Sequence, residues 1–544
     1  MSNSDLQAAR PAPSGAPVKS LRQSMAWLHT WAGLVPGWLL FVIFLFGTGA
    51  FFQQEISRWM RPELGRGAVT AGALDAAMAH LARTAPDAQE WRLSLPSARG
   101  GDPLSISWKP REDEAGEKAK PLGRRDRQNR VKLDPATGRV LDIRDTSGGF
   151  FLYRMHFDLH YMPVLWARYL VCIAALSMLV AILSGIVTHK KIFSDFFMLR
   201  FGKGQRSWLD AHNVTAVLSL PFHLMITYTG LVTLLFTLMP WAISANFPDR
   251  DAYFSAAFPS EPEVEASGTP AAMLPISVLL HRAEQAKPGM HASFITIHNP
   301  GDSAAVADLF MRSETLGGAR QPIRMRATTG DIVGEREGRG PAVATQQTMI
   351  DLHAGRYSGA TLRWLYFLSG VGGTIMVASG LVLWTVKRRA KLPDPAMPYF
   401  GFRLVERLNI GFIAGAPAGI AAYFLANRLL PLGIADRTDW EINGLFIVWG
   451  GLFVWSLARP AKRAWIETLA VCAGLYALVP VVNVLTTARG LPASLLAGDW
   501  VYVGFDLFMF AVAAIIGLAA WKVATRQAKP TPARKRRPPV EAMA

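Results

Sequence analysis

The chain has 544 residues, of which 51% are hydrophobic and only 18% charged, too apolar for an ordinary soluble multidomain protein. Its formal charge of +17 does not point to nucleic acid, because the basic residues border long apolar runs, where anionic lipid headgroups and membrane topology account for them. The two cysteines, Cys172 and Cys472, both fall inside such runs, which excludes a disulfide framework and a cysteine metal cluster.

Eight apolar runs have roughly the 20-residue length a helix needs to cross the hydrocarbon core. In chain order, a polar segment (1–30) precedes the first predicted span, 31–52, and residues 53–162 form a first domain outside the membrane. The stretch 163–239 holds the second and third spans, 164–187 and 213–239, joined by a basic loop at 188–211. A second outside domain fills 240–362, followed by the fourth span, 363–386. Four more runs, 405–426, 442–458, 465–486 and 501–521, make a C-terminal extension (404–521) ahead of a basic tail, 522–544. Lys and Arg crowd every short loop on one side, "KRRAKLPDPAMPYFGFR" and "RPAKR" among them, and are sparse at 427–441 and 487–499. With both termini cytoplasmic, each short loop obeys the positive-inside rule. The expected fold is an α-helical integral membrane protein of about eight transmembrane helices carrying two small α+β domains.

The two outside segments repeat each other. Each runs from a helical stretch ("ALDAAMAHLARTAPDA", "ISVLLHRAEQAKPG") through alternating strands to a Thr-Gly turn ("LDPATGRVLDI", "IRMRATTGDIVGE"), where glycine supplies the positive φ of a hairpin. The charged stretch 111–130 lacks periodicity and reads as a surface insertion. Asp-Leu-His then stands at the threshold of a span in both copies, at 158–160 and 351–353. The tripeptide recurs because the whole module of helix, outside domain and helix is duplicated.

Of the eleven histidines, His80, His281, His291 and His298 belong to the outside domains and His189 abuts two lysines, so structural roles suffice for them. His29 and His212 occupy equivalent inner positions of the first and third spans. His223 follows His212 by 11 residues, which on a straight helix puts both on one face, about 16 Å apart. His160 and His353 stand at the outer entrances of the second and fourth spans, and His156 precedes His160 by one turn, a weaker candidate. Ionisable side chains are costly in a membrane helix and mark function, and imidazoles on facing helices form a natural cage for a b-type haem. The expected axial pairs are His29 with His212 and His160 with His353, with His223 between the two levels. Arg168 and Arg363 could hold propionates or an anionic substrate, or simply snorkel to the interface. Asp158 and Asp351 could orient the neighbouring histidines, or cap helices.

The segments "WLHTWAGL", "WLDAHNVTAVLSLPFHLMITYTGL", "DLHAGRYSGATLRWLYFLSGVGG" and "SGLVLWTVKRR", with the Thr-Gly hairpins, resemble the PepSY-associated transmembrane family of bacterial inner-membrane proteins over about residues 20 to 391. The resemblance implies PepSY-like periplasmic domains and, from family members that are ferric-siderophore reductases, one or two haem b groups held by transmembrane histidines. The family's histidine positions match His29, His160, His212, His223 and His353. Many relatives stop after the fourth span. The extension here contains no histidine, so a stabilising or partner-docking role is expected of it.

The reading that follows is an inner-membrane, multi-pass oxidoreductase that passes electrons to a periplasmic ferric siderophore. No Gly-x-Gly-x-x-Gly fingerprint follows a strand and the cytoplasmic loops are too short for a flavin domain, so electrons must come from quinol or a cytoplasmic reductase. Two rivals stand beside it: a transporter or permease with a haem-free histidine proton relay, and a regulatory or assembly protein whose PepSY-like domains bind peptides or proteases.

Overall fold

The computed structural model describes residues 20–65, 67–97, 99–111, 129–189, 198–257, 262–317, 321–335, 340–395 and 397–526. Most of the N-terminal polar segment, most of the charged insertion, part of the basic loop 188–211 and most of the tail lie outside the described residues. Six helices are long and apolar enough to cross a membrane: Val164–Thr188, Ala360–Arg389, Phe400–Leu429, Arg437–Ala458, Ala461–Thr486 and Trp500–Thr525. Two bent pairs bring the number to eight, Leu21–Leu34 with Gly37–Ala50 and Gln205–Leu218 with Leu220–Thr233. The chain is a multi-pass membrane protein.

The first and third spans are therefore not straight. They bend by 61° and 69°, and a proline stands at each break: Pro36 as the cap of Gly37–Ala50 and Pro221 in the first turn of Leu220–Thr233. Proline has no N–H to give and its ring clashes with the carbonyl one turn back, so a helix kinks or restarts there. The straight-helix placement of His212 and His223 on one face is corrected by the same bend, which puts the two residues on different limbs.

Each outside segment supplies one sheet-covering helix and one antiparallel meander, and the meanders join into a single sheet. β1 (Glu90–Ser94), β2 (Leu104–Lys109) and β3 (Arg130–Leu133) come from the first segment. β4 (Met290–His298), β5 (Val306–Ser313), β6 (Gln321–Arg326) and β7 (Ile332–Glu335) come from the second. The order is β3-β2-β1-β4-β5-β6-β7, with β1 and β4 antiparallel at the seam. Alternation puts Ile106, Leu93, Ile295, Leu309 and Ile323 in one buried row across five strands. Helices Ala71–Thr84 and Ile276–Ala286 cover that row with Ala73, Ala77, Leu81, Leu279 and Ala283, each large apolar side chain contributing roughly 2 kcal/mol. The Thr-Gly turns form as expected, with Gly138 at φ +69° and Gly330 at φ +77°.

Two helices lead from the sheet back to the spans. Gly148–Asp158 precedes Val164–Thr188, and Pro341–Ala354 precedes Ala360–Arg389. The extension shares a core with the first half of the chain, where Val42, Phe46, Trp59 and Phe151 pack with Tyr423, Phe424 and Tyr502.

Candidate functional site

The spans bring His29 and His212 together, edge to face, at the end remote from the sheet, with ring centroids 6.1 Å apart and planes at 72°. Each ring is anchored from behind. His29 Nδ1 lies 2.8 Å from Ala181 O, and His212 Nδ1 lies 2.8 Å from Met376 O. A carbonyl only accepts, so the proton sits on Nδ1 in both rings and the Nε2 lone pairs are left bare. The local sequence makes this anchoring possible. Gly185 stands four residues beyond Ala181 and Gly380 four beyond Met376, and a Cβ on either glycine would come within 3.1 Å of the imidazole. Small residues let a ring lie close enough to a neighbouring helix to reach its backbone.

At the sheet-side end the ring facing His353 is His156, with centroids 6.4 Å apart and planes 21° from parallel. The expected pairing of His160 with His353 is corrected. Helix Gly148–Asp158 ends two residues short of His160, and Leu159 and Tyr161 adopt φ of 44° and 64°. Those left-handed residues turn the chain and throw His160 to another face, where it stacks on Phe446 at 5.8 Å and 16°. In the second copy the helix runs through His353 and ends at Gly355, which takes the left-handed cap at φ +60°. His353 repeats the far-side anchoring: its Nδ1 donates to Ile226 O at 2.9 Å, four residues before Gly230. His156 instead donates from Nδ1 to Tyr153 O of its own helix and packs beside Gly47. Burial lowers the pKa of both rings to about 4, and for His156 the neighbouring His353 adds to the effect, so both imidazoles are neutral and available as ligands.

The remaining candidates lie elsewhere. His223 is fully buried, edge-on to Phe44 at 5.6 Å, with Nε2 3.3 Å from Ser369 O. Its proton is thus on the opposite nitrogen from that of the four paired rings, and it faces none of them. Neither aspartate orients its tripeptide histidine or caps the start of a helix. Asp158 takes Arg154 at 2.6 Å and Arg168 at 3.0 Å, while Asp351 takes Gln347 at 2.9 Å and lies 3.9 Å from Arg356. Arg363 is tied to Glu55 at 3.2 Å, a carboxylate shared with Arg99 at 3.5 Å. Both arginines expected at the interface are therefore ion-paired to protein carboxylates. His298 bridges Asp308 and Glu90 within the sheet, a structural role.

The anchoring role of the glycines at 185, 230 and 380, with the carbonyls four residues before them, escaped sequence reasoning, although "LSG" and "ASG" at equivalent far-side depths and "YTG" at the sheet side were the available signal. Each pair offers two bare nitrogens across a gap, and a ring separation of 6.1–6.4 Å accommodates two metal–imidazole bonds of about 2 Å plus the ring radii. Among the described residues no three His, Cys, Asp or Glu side chains converge to hold a bare ion. The pairs suit a metal that brings its own equatorial donors.

Eight apolar spans, a sheet assembled from two repeats, and two histidine pairs at opposite ends define a duplicated helical membrane protein. A family model for the PepSY-associated TM region matches residues 26–387, and the chain belongs to that family. It is also similar to an uncharacterized protein of Pseudomonas aeruginosa, 27% identical over 376 residues that cover 67% of this chain and 92% of the relative.

Proposed function

We propose that the protein is a haem-b reductase of the bacterial inner membrane that passes electrons to a periplasmic ferric siderophore. The carrying observation is the two facing imidazole pairs, at 6.1 and 6.4 Å, each ring with Nδ1 fixed to a carbonyl and Nε2 free. His29 with His212 would hold one group and His156 with His353 the other. Bound there, haem supplies one-electron iron chemistry. About 17 residues separate Ala181 from the sheet-side end of its span at Val164, a rise of roughly 25 Å, so two stations together reach across most of a bilayer. The carbonyl contacts raise imidazole basicity and fix the ring tilt.

Basic residues at 387–391 and 459–463, at the ends of spans remote from the sheet, support a cytoplasmic far side with both termini there and a periplasmic sheet. Electrons would enter from quinol or a cytoplasmic reductase. Reduction of Fe(III) weakens its hold in a chelate of hard oxygen donors, so iron leaves with the chelator intact. Lipid is the only other partner invoked, and nucleic acid is not. A reduced-minus-oxidised visible spectrum of purified protein, followed by quinol-driven reduction of a ferric hydroxamate in proteoliposomes, tests the reading. Sharp b-type bands and Fe(II) release are expected; colourless, iron-free protein overturns it.

A further inference from the structure

The four spans beyond residue 400 lie outside the matched family region, yet their buried polar groups reach into the first half of the chain. Thr146 Oγ1 donates to Glu441 Oε2 at 2.5 Å, the Tyr423 hydroxyl donates to Gly148 O at 2.9 Å, and Arg144 Nη1 donates to Asn427 O at 2.7 Å. Glu441 is fully buried; it also accepts from Asn427 Nδ2 at 2.7 Å and pairs with Arg437. These contacts fall on residues 144–148, at the start of the helix that carries His156. Further along that helix the Tyr423 ring lies 5.2 Å from Phe151, and just past its end Phe446 stacks on His160. On the opposite side Gly149 N donates to Ser57 Oγ at 2.9 Å, and a Cβ on Gly149 would stand 2.1 Å from Gln53 O. The helix is gripped between Gln53–Ser57 and the extension.

We infer that the extension is a clamp for the sheet-side ligand helix, with Tyr423, Glu441 and Phe446 as positioning residues that set the distance and tilt of His156 against His353. A buried ion pair contributes little net stability because desolvation offsets it, but here Arg437 holds the Glu441 carboxylate in the position that also receives Thr146, which is the property a clamp requires. The consequence for the cofactor rests on the paired-imidazole reading above; the mechanical part does not. The far-side pair, held by carbonyls of Ala181 and Met376, serves as the internal reference.

The full-length chain in nanodiscs, as wild type, Tyr423→Phe, Glu441→Gln, Phe446→Leu and Phe446→Tyr, is followed by amide hydrogen exchange and by potentiometric titration with low-spin EPR. The first three variants are expected to show several-fold faster exchange in 148–158 with no change in 205–218, and to move the EPR signal and midpoint of one centre while the other stays fixed. Phe446→Tyr, which keeps the stack, is expected to behave as wild type. Unchanged exchange in 148–158 overturns the clamp, as does a uniform rise along the chain or an equal shift of both centres. Faster exchange with an unmoved sheet-side signal overturns the effect on His156. A wild-type protein without haem sinks the reductase reading instead, and exchange alone then decides the clamp.

Discussion

His29 and His212 turn their Nδ1 atoms away from each other, one to Ala181 O and the other to Met376 O, both at 2.8 Å. Two neighbouring helices thus hold the two rings 6.1 Å apart, edge to face across a gap. An imidazole pair that needed only to be satisfied could have hydrogen-bonded across that gap. If the proposed haem reading holds, replacing either ring with alanine would remove one of the two imidazoles that would hold the far-side group, so His29→Ala and His212→Ala should each lose the far-side signal and keep the other. Visible and EPR spectra of membrane-inserted protein check this, and an unaltered spectrum would remove the far-side pair from the site.

At the other end the helix stop, rather than the duplicated tripeptide, decides which histidine faces His353. His156→Ala should abolish the sheet-side signal as His353→Ala does. His160→Ala should leave that signal low-spin and shift it only modestly, through the lost stack on Phe446. If His160→Ala instead removes the signal while His156→Ala retains it, the arrangement at Leu159 and Tyr161 is not the one that binds.

What could be read from residue order and what could not follow physical lines. Span number, the paired Thr-Gly hairpins and the duplication are periodic or local signals, and local chemistry carries them. The choice between His156 and His160 depends on where one helix stops; Asp158, Leu159 and His160 offer no glycine to mark the stop, whereas Gly355 marks it in the second copy. The merging of two meanders depends on the seam between Leu93 and Ile295, a contact across some 200 residues that no local pattern encodes. Aspartates beside histidines looked like ligand orienters because sequence proximity was the only distance available; arginines 154 and 168 reach Asp158 in space.

Within the sheet, hydrogen bonds from His298 to Asp308 and then Glu90 raise its pKa to about 9, against partial burial that opposes it. Below about 6.5 the folded and unfolded chains both carry the proton and the full stabilisation is present. Between about 6.5 and 9 only the folded chain keeps it, so the contribution declines as pH rises through that window. Its size is on the order of 1–2 kcal/mol after allowance for partial exposure. Hydrogen exchange in β4 and β5 should separate wild type from His298→Gln at pH 6 and bring them together at pH 9.5; a constant gap would show that the bridge is not titrating.

Arg437 and Glu441 form an ion pair in which both side chains are almost completely buried. Glu441→Ala strands a guanidinium beside Asn427 O and Asp145 O, which should cost about 3–5 kcal/mol. Asp145→Ala breaks a pair in which the carboxylate is 75% exposed and should cost about 0–1 kcal/mol. Thermal unfolding in matched detergent distinguishes them, and equal shifts would mean the buried pair is hydrated.

Gly230 lies closest to its ring of the three glycines that stand four residues beyond a histidine-anchoring carbonyl. A Cβ there would stand 2.8 Å from His353 Cε1 and 3.2 Å from Nδ1, closer than nonbonded carbon atoms approach. The ring cannot retreat without giving up Ile226 O at 2.9 Å and the nearby Thr229 hydroxyl at 3.3 Å. Gly230→Ala should therefore tilt His353, weaken sheet-side haem retention by at least tenfold, which is about 1.4 kcal/mol of binding, and leave the far-side signal alone. Gly47 offers the control, because a Cβ there would meet His156 at an ordinary 3.6 Å, and Gly47→Ala should retain haem as wild type does. Haem transfer to apomyoglobin measures both, and equal loss rates in the two variants would refute the proposed role of Gly230.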